Sequence, residues 1–142
     1  MTRSVILVAA SRVLMPLLLL YALFLLWRGH NAPGGGFVGG LVAASAFVLY
    51  SLTAGVDAGR QALRVDPLTL LSVGLGVALI SGLPGLLAGG TFMTAVWGSG
   101  EYGDLHLTLG TPLLFDVGVF LAVLGVVLTI VFTLAEAARA EE

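Results

Sequence analysis

The sequence predicts an all-α integral membrane protein with four transmembrane helices and with both termini in the cytoplasm. Three observations lead to this fold class: the composition, the length of the apolar runs and the placement of the arginines. Hydrophobic residues make up 58% of the chain and charged residues only 10%, whereas a soluble domain has about 25% charged residues. So few charges do not cover a water-facing surface, which argues against an ordinary soluble domain.

Four apolar spans give the number of helices. Each is close to the roughly 20 residues that an α-helix needs to cross the hydrocarbon core of a bilayer. A helix satisfies its own backbone hydrogen bonds within lipid, and the runs are continuous rather than alternating, which argues against a β-barrel. No soluble linker or second domain is visible, so residues 1–142 are predicted to form one transmembrane domain. The predicted helices cover about residues 5–27, 37–56, 67–87 and 112–135.

The first span resembles a signal peptide at its start, but its apolar run continues past residue 25 without a clear A-x-A cleavage site. This favours a helix that stays in the membrane. Pro16 lies in the middle of the span, where it is expected to kink the helix or to free a backbone carbonyl. Pro67 and Pro112 instead lie at the predicted starts of the third and fourth helices, where an N–H has no intrahelical partner to lose.

The arginines give the orientation, because they are the only fixed cations in the chain. Four spans place both termini on one side, together with the polar loop at residues 57–66. The other side holds only Arg28, so the positive-inside rule places the termini in the cytoplasm. Arg12 lies within the first span but near its cytoplasmic end, where its side chain can snorkel. The arginines on the predicted cytoplasmic side are Arg3, Arg12, Arg60, Arg64 and Arg139.

Small residues recur every four positions in three of the spans. In lipid this spacing lets helix backbones approach closely, so it predicts tight helix–helix packing. A four-helix unit this small has a large surface relative to its interior, and we expect it to be one component of a larger assembly. The repeats are Gly35, Gly39 and Ala43; Gly36, Gly40 and Ala44; Gly74, Ala78 and Gly82; and Gly118 with Ala122.

The stretch RGHNAPGGGFVGG, at residues 28–40, interrupts the apolar sequence between the first two spans. Two interpretations stay open. In the first, Pro33 ends the helix, the glycines form a tight outer hairpin and pack the entry of the second helix against a neighbour, and His30 and Asn31 cap helix ends. In the second, non-helical backbone dips toward the membrane and lines a polar cavity.

Asp116 is the most informative single residue, because it lies about one turn inside the fourth span. Acids within the membrane usually pair or line ion paths. Asp116 is therefore predicted to flank an ion path or to form a structural ion pair, with His30 and Arg28 as partners on the same predicted side. The alternative is an interfacial aspartate that is hydrogen-bonded to a helix end or to Thr111.

The predicted outer loop at residues 91–111 carries Glu101, Asp104 and His106. Together with Asp116 it gives three outer carboxylates against one arginine. Such a patch raises the local cation concentration at the mouth of a pathway. An ordinary solvated loop is the alternative interpretation.

Other classes of site find no support in the sequence. The chain has no cysteine, which excludes disulfides and thiolate metal sites. The two histidines lack metal-binding spacing, and Gly34, Gly36 and Gly39 form a G-x-G-x-x-G that follows an apolar run rather than a strand. A net charge of −2 gives no basic field for nucleic acid. We therefore predict no catalytic residue, no metal site, no cofactor and no nucleic-acid partner.

Two motifs, WRGHNAPGGGFVGGL at residues 27–41 and GTPLLFDVGVFLAVLG at residues 110–125, closely resemble the B subunit of the multisubunit cation/proton antiporters called Mrp or Mnh. The resemblance covers essentially the whole chain, in length, in the number of spans and in both motifs. The signature positions are Gly29, His30, Asn31, Pro33, Gly34, Gly35, Gly36, Phe37, Gly39 and Gly40, with Asp116 as the embedded acid.

The resemblance implies a six- or seven-subunit complex in a bacterial inner membrane, which exchanges cytoplasmic Na⁺, or K⁺ in some members, for external protons. It implies as partners the large A and D subunits, which are similar to proton-pumping subunits of respiratory complex I, together with the C, E, F and G subunits and membrane lipid. It assigns catalysis to no residue of this chain. Two alternatives stay open: a similar subunit of a membrane-bound hydrogenase-type complex, and a purely structural scaffold that touches no ion.

Overall fold

The computed structural model describes residues 5–29, 35–102 and 105–141. Within these residues, four regions are helical, long and apolar enough to cross a membrane, which confirms the predicted number of spans. The first, second and fourth are single helices: α1 (Val5–Gly29), α2 (Gly35–Ala54) and α6 (Thr111–Ala140). The third region, Val56–Leu87, consists of α3 (Val56–Leu63), α4 (Pro67–Ile80) and α5 (Leu83–Leu87).

The third span is interrupted, whereas the sequence predicts one continuous helix. With 14 residues, α4 covers about 21 Å, which is less than the roughly 30 Å of the hydrocarbon core. The helix ends at Ile80 because Pro84 has no N–H to give to the Ile80 carbonyl, and its ring would clash there. Gly82, which the sequence places in a helix-packing repeat, packs instead against Phe92 and Met93.

The polar segment between the second and third spans is predicted as a loop but contains the helix α3. This helix is charged and lies at the end of the bundle, beside the apolar helices. It ends at Arg64, which adopts the left-handed conformation with φ of 62°. Asp66 then caps α4: its carboxylate accepts a hydrogen bond of 3.1 Å from the Leu68 N–H. Pro67 occupies the first turn of α4, as predicted.

The predicted outer loop contains a two-stranded antiparallel sheet, which adds to the helical architecture that the sequence predicts. Strand β1 is Trp97–Tyr102 and strand β2 is Leu105–Gly110. Trp97 pairs with Gly110 at one end of the register, and Glu101 pairs with His106 near the other. Asp104 lies outside the described residues.

The bundle is built around α2, which lies between α1 and α6, while α4 packs mainly on α6. Ten of the 20 residues of α2 are buried, more than in any other described helix. Apart from the one at Gly82, small-residue contacts of the predicted kind join α4 and α6: a β-carbon on Gly118 would collide with the backbone of Ala78 and Gly74 on α4. The core between these helices contains Ala22, Ala43, Ala44, Phe47, Phe120, Leu124, Leu128 and Phe132.

Candidate functional site: the junction of α1, α2 and α6

The end of α1 and the start of α2 meet without any side chain between them. A β-carbon placed on Gly29 would overlap the backbone of Gly35, and a β-carbon on Gly35 would overlap the backbone of Gly29 and approach the Leu25 carbonyl oxygen. Glycine is therefore required at both positions by space rather than by backbone angle. This contact returns the chain from α1 into α2 at one end of the bundle.

The next glycines of α2 face both neighbouring helices. A β-carbon on Gly36 would collide with the backbone carbonyl of Asp116 on α6, and one on Gly40 would collide with the Phe120 carbonyl oxygen. On the other face, a β-carbon on Gly39 would lie 2.9 Å from the Ala22 carbonyl oxygen of α1. The glycines of the signature that the structure describes thus pack within the chain, against α1 and α6.

Asp116 therefore lies beside the first turn of α2. It is half-buried, in the second turn of α6. The N-terminus of a helix carries a partial positive charge, which favours a nearby carboxylate. Arg28, in the last turn of α1, is exposed at the same end of the bundle. The structure thus brings Gly29, Gly35, Gly36 and Asp116 to one junction, and Arg28 precedes Gly29 at the same end of the bundle.

Other predicted site residues are placed differently. Phe37 is 53% exposed, so it is not part of the buried contact between α2 and its neighbours. His30, Asn31, Pro33 and Gly34 lie outside the described residues.

The interior of the bundle carries hydroxyl groups but no charge within the described residues. The buried polar residues are Ser11, Ser51, Thr53 and Ser81, and each hydroxyl has a hydrogen-bond partner. No three His, Cys, Asp or Glu side chains of the described part are grouped as metal ligands. Within the described residues, the buried polar groups of the bundle are therefore hydroxyls that bond to the backbone or to each other.

Two polar features at the opposite end of the bundle are not apparent from the sequence. The first is a buried contact of 2.7 Å between the hydroxyls of Ser11 on α1 and Thr53 on α2. The Ser11 hydroxyl also donates to the Val8 carbonyl, and the Thr53 hydroxyl to the Tyr50 carbonyl. The two hydroxyls have only two protons for these three contacts. When one hydroxyl donates to the other across the helices, it gives up its bond to the carbonyl of its own helix.

The second feature is an ion-pair network between α3 and the end of α6. Arg60 donates to both carboxylate oxygens of Glu136, at 2.7 and 3.3 Å, and lies 3.7 Å from Asp66. Its guanidinium also stacks over the Phe132 ring at 5.3 Å. A second pair, at 3.2 Å, joins Arg139 to Asp57.

These contacts place the start of α1, the helix α3 and the end of α6 at one end of the bundle. Arg12, Arg60, Arg64 and Arg139 therefore lie at this end, and Arg28 lies at the other. This distribution agrees with the side assignment made from the sequence. Which end faces the cytoplasm stays a prediction.

Comparison with known proteins identifies the family. A family model described as a domain related to the MnhB subunit of Na⁺/H⁺ antiporter matches residues 6–129. The chain is 36% identical over 141 residues to the B subunit of the Na⁺/H⁺ antiporter of Alkalihalophilus pseudofirmus, covering 95% of this chain and 94% of that protein. It is 37% identical over 136 residues to the corresponding B subunit of Bacillus subtilis, covering 95% of each.

A solved structure is also similar, over nearly all of this chain. It is described as the structure of the Mrp complex from Dietzia sp. DQ12-45-1b, with a TM-score of 0.76 and 39% sequence identity. The match covers 92% of this chain and 14% of the longer chain in that complex. Sequence and structure therefore agree that this chain belongs to the MnhB family, whose domain is related to a subunit of Na⁺/H⁺ antiporters.

Proposed function

We propose that this chain is the small B-type membrane subunit of a multisubunit Na⁺/H⁺ antiporter. The observation that carries this proposal is the similarity to antiporter B subunits along nearly the full length of both proteins. The likeness to part of a solved Mrp complex supports it. The four-span architecture fits a protein that works within a membrane.

The protein supports exchange without carrying an ion through its own core. The absence of a buried ionisable side chain among the described residues supports a role in which other subunits carry the ions. In the proposed complex, the large A and D subunits carry proton transfer, and the C, E, F and G subunits complete the assembly. The complex lies in a bacterial inner membrane with both termini of this chain in the cytoplasm, and it exchanges Na⁺ or K⁺ for protons.

The junction of α1, α2 and α6 holds Asp116 beside the ion path. The close backbone contact of Gly36 with Asp116 supports a fixed position for this acid. Arg28 lies in the last turn of α1, at the same end of the bundle, and we propose Arg28 and His30 as the groups that balance the charge of Asp116 or form a structural ion pair with it. A role as a pure scaffold is the competing function, and it predicts that the Asp116 charge can be removed without affecting exchange.

The proposal is tested by leaving this chain out of the complex. The complete set of genes for the complex is expressed with and without this chain in a bacterial strain that lacks its main Na⁺/H⁺ antiporters. Exchange is measured in everted membrane vesicles, as the collapse of a preformed pH gradient when NaCl or KCl is added. We expect exchange with the complete set, none without this chain, and recovery when the chain is supplied from a second plasmid. Equal exchange in its absence would overturn the proposal.

A further inference from the structure

The helix α1 is the least buried of the membrane spans in the described structure. Only Ser11 and Ala22 are buried along its 25 residues, and its main contact is with α2. Its outer face carries large apolar side chains that are more than half exposed, including Leu20 and the stacked ring pair of Tyr21 and Phe24. Lipid alone is a sufficient cover for such a face, so apolarity does not identify what lies against it.

Arg12 and Pro16 make this face unlike a lipid-facing surface. Both residues are exposed and, four positions apart, lie on the same side of the helix. Pro16 lies inside the continuous helix and has no N–H to donate to the carbonyl of Arg12. The face therefore presents a guanidinium together with a backbone carbonyl that has lost its regular helical donor.

The depth of this site in the membrane affects the Arg12 guanidinium and the Arg12 backbone carbonyl differently. Arg12 lies about 26 Å along α1 from Gly29, at a rise of about 1.5 Å per residue, in a hydrocarbon core of about 30 Å. A long arginine side chain reaches the interface from such a depth by snorkelling. The backbone carbonyl cannot move in this way. Prolines are tolerated in transmembrane helices because a neighbouring group satisfies the freed carbonyl.

The described part of the chain does not provide a counter-charge for Arg12. At this end of the bundle, Asp57 pairs with Arg139, and Asp66 and Glu136 pair with Arg60, while Glu141, just past the end of α6, forms no ion pair with Arg12. None of the ion pairs among the described residues includes Arg12. The fixed carbonyl on this exposed face thus calls for a donor from outside the chain, and the guanidinium beside it, which has no ion pair within the described residues, is placed to bind an acid on the same partner.

We propose that the face of α1 around Arg12 and Pro16 is the docking surface for a transmembrane helix of a partner subunit. That helix presents a carboxylate to the Arg12 guanidinium and a hydroxyl or amide donor to the Arg12 carbonyl. Leu20, Tyr21 and Phe24 provide the apolar contact farther along the same helix. This inference rests on the proposed function, because it requires a complex with other membrane proteins.

The test uses the complete complex, purified in detergent. A photo-crosslinking amino acid replaces Ala9 or Leu20, which flank the site on the exposed face, and the adduct is mapped by mass spectrometry. We expect a crosslink to a transmembrane helix of another subunit, with an acidic residue within about one turn of the position crosslinked from Ala9 and about 12 Å, or two turns, from the position crosslinked from Leu20. An adduct with lipid alone, or with a helix that lacks an acid, would overturn the proposal, as would a second copy of this chain.

Substitutions then test the charge pair itself. Arg12→Gln should lower recovery of this chain with the complex about fivefold, which corresponds to about 1 kcal/mol, and Arg12→Lys should restore most of it. Arg64→Gln is the matched control, because Arg64 is an exposed arginine at the same end of the bundle. Arg12→Glu combined with an arginine in place of the mapped acid should recover assembly. Wild-type recovery of Arg12→Gln in an active complex would overturn the docking surface and leave the proposed function intact.

Discussion

The backbone of Gly36 lies directly against the main-chain carbonyl of Asp116, with no side chain between α2 and α6 at that point. The same helix approaches α1 through Gly35 and Gly39. The glycine-rich entry of α2 is therefore a contact within the chain, where the sequence left open which neighbour it meets. This contact fixes the position of Asp116 relative to α2, because the Asp116 backbone occupies the space that a side chain at position 36 would need.

The first prediction concerns this contact. Gly36→Ala should destabilise the protein by about 1–3 kcal/mol, the usual cost of overpacking, because neither helix backbone can move aside freely. Gly76→Ala is the control, since a β-carbon there meets no atom within 4 Å. Thermal unfolding of the purified complex and Na⁺/H⁺ exchange in everted vesicles are the measurements. Matching stability and exchange in the two variants would show that the close contact is not needed.

The second prediction separates the ion path from the scaffold. Asp116→Asn removes the charge while keeping the size of the side chain, so it should reduce exchange more than it reduces recovery of the complex. Asp57→Asn, at the opposite end of the bundle, is the charge-matched control. Exchange per unit of assembled complex is the deciding quantity. An unchanged value for Asp116→Asn would favour the scaffold, and a loss of assembly alone would indicate a structural ion pair.

The third prediction concerns the hydroxyl pair that joins α1 to α2. Thr53→Val keeps the volume but removes one hydroxyl, while Ser11 keeps its bond to the Val8 carbonyl. We expect a loss of about 0.6 kcal/mol, the average for polar contacts between transmembrane helices. Ser45→Ala is the control, because the Ser45 hydroxyl is exposed and bonds only its own helix, at the Leu41 carbonyl. Unfolding in mixed micelles with increasing SDS provides the comparison.

The fourth prediction concerns the ion pair between Arg60 and Glu136. Both side chains are more than a third exposed, so Glu136→Gln should cost only about 0.2–1 kcal/mol. High salt should reduce this difference, because exposed charges are screened. Glu141→Gln, just past the end of α6, is the control. A cost that does not depend on salt would mean that the hydrogen bonds from Arg60 to residue 136, rather than the attraction between the charges, account for the loss.

The fifth prediction concerns the orientation in the membrane. The chain has no cysteine, so single cysteines give unambiguous labelling. A membrane-impermeant maleimide should label Thr91→Cys in intact cells and Gln61→Cys only after permeabilisation, since both side chains are exposed at opposite ends of the bundle. The reverse result would place the termini outside.

Hydropathy was sufficient to predict the four spans, because long apolar runs have few alternatives within a bilayer. The interruption near Ser81 was missed, because hydropathy does not register the backbone effect of Pro84. The strand β2 had a local signal, the alternating LHLTL after the pair Gly103 and Asp104, which is typical of a hairpin. This signal is short, and the segment lies between the third and fourth apolar spans, so it was interpreted as a loop that connects them.

The candidate site was predictable only in part. Spacing indicated that Gly36 and Gly40 pack closely, but it did not identify α6 as the neighbour. Contacts between residues that are distant in the sequence were out of reach. Arg60 and Glu136 are 76 positions apart, and a single sequence gives no reason to join them.

The position of α4 has a consequence for biosynthesis. This helix packs mainly on α6, and it contacts the last helix at Gly118 and Gly125 through Gly74, Ala78, Leu71 and Pro67. When the ribosome has released the third span, its docking site has not yet been made. The helices α1 and α2 can pack together as soon as both are inserted, whereas α4 stays exposed to lipid until α6 has been synthesised and inserted. Early termination within α6 should therefore leave an orphan helix exposed to membrane proteases.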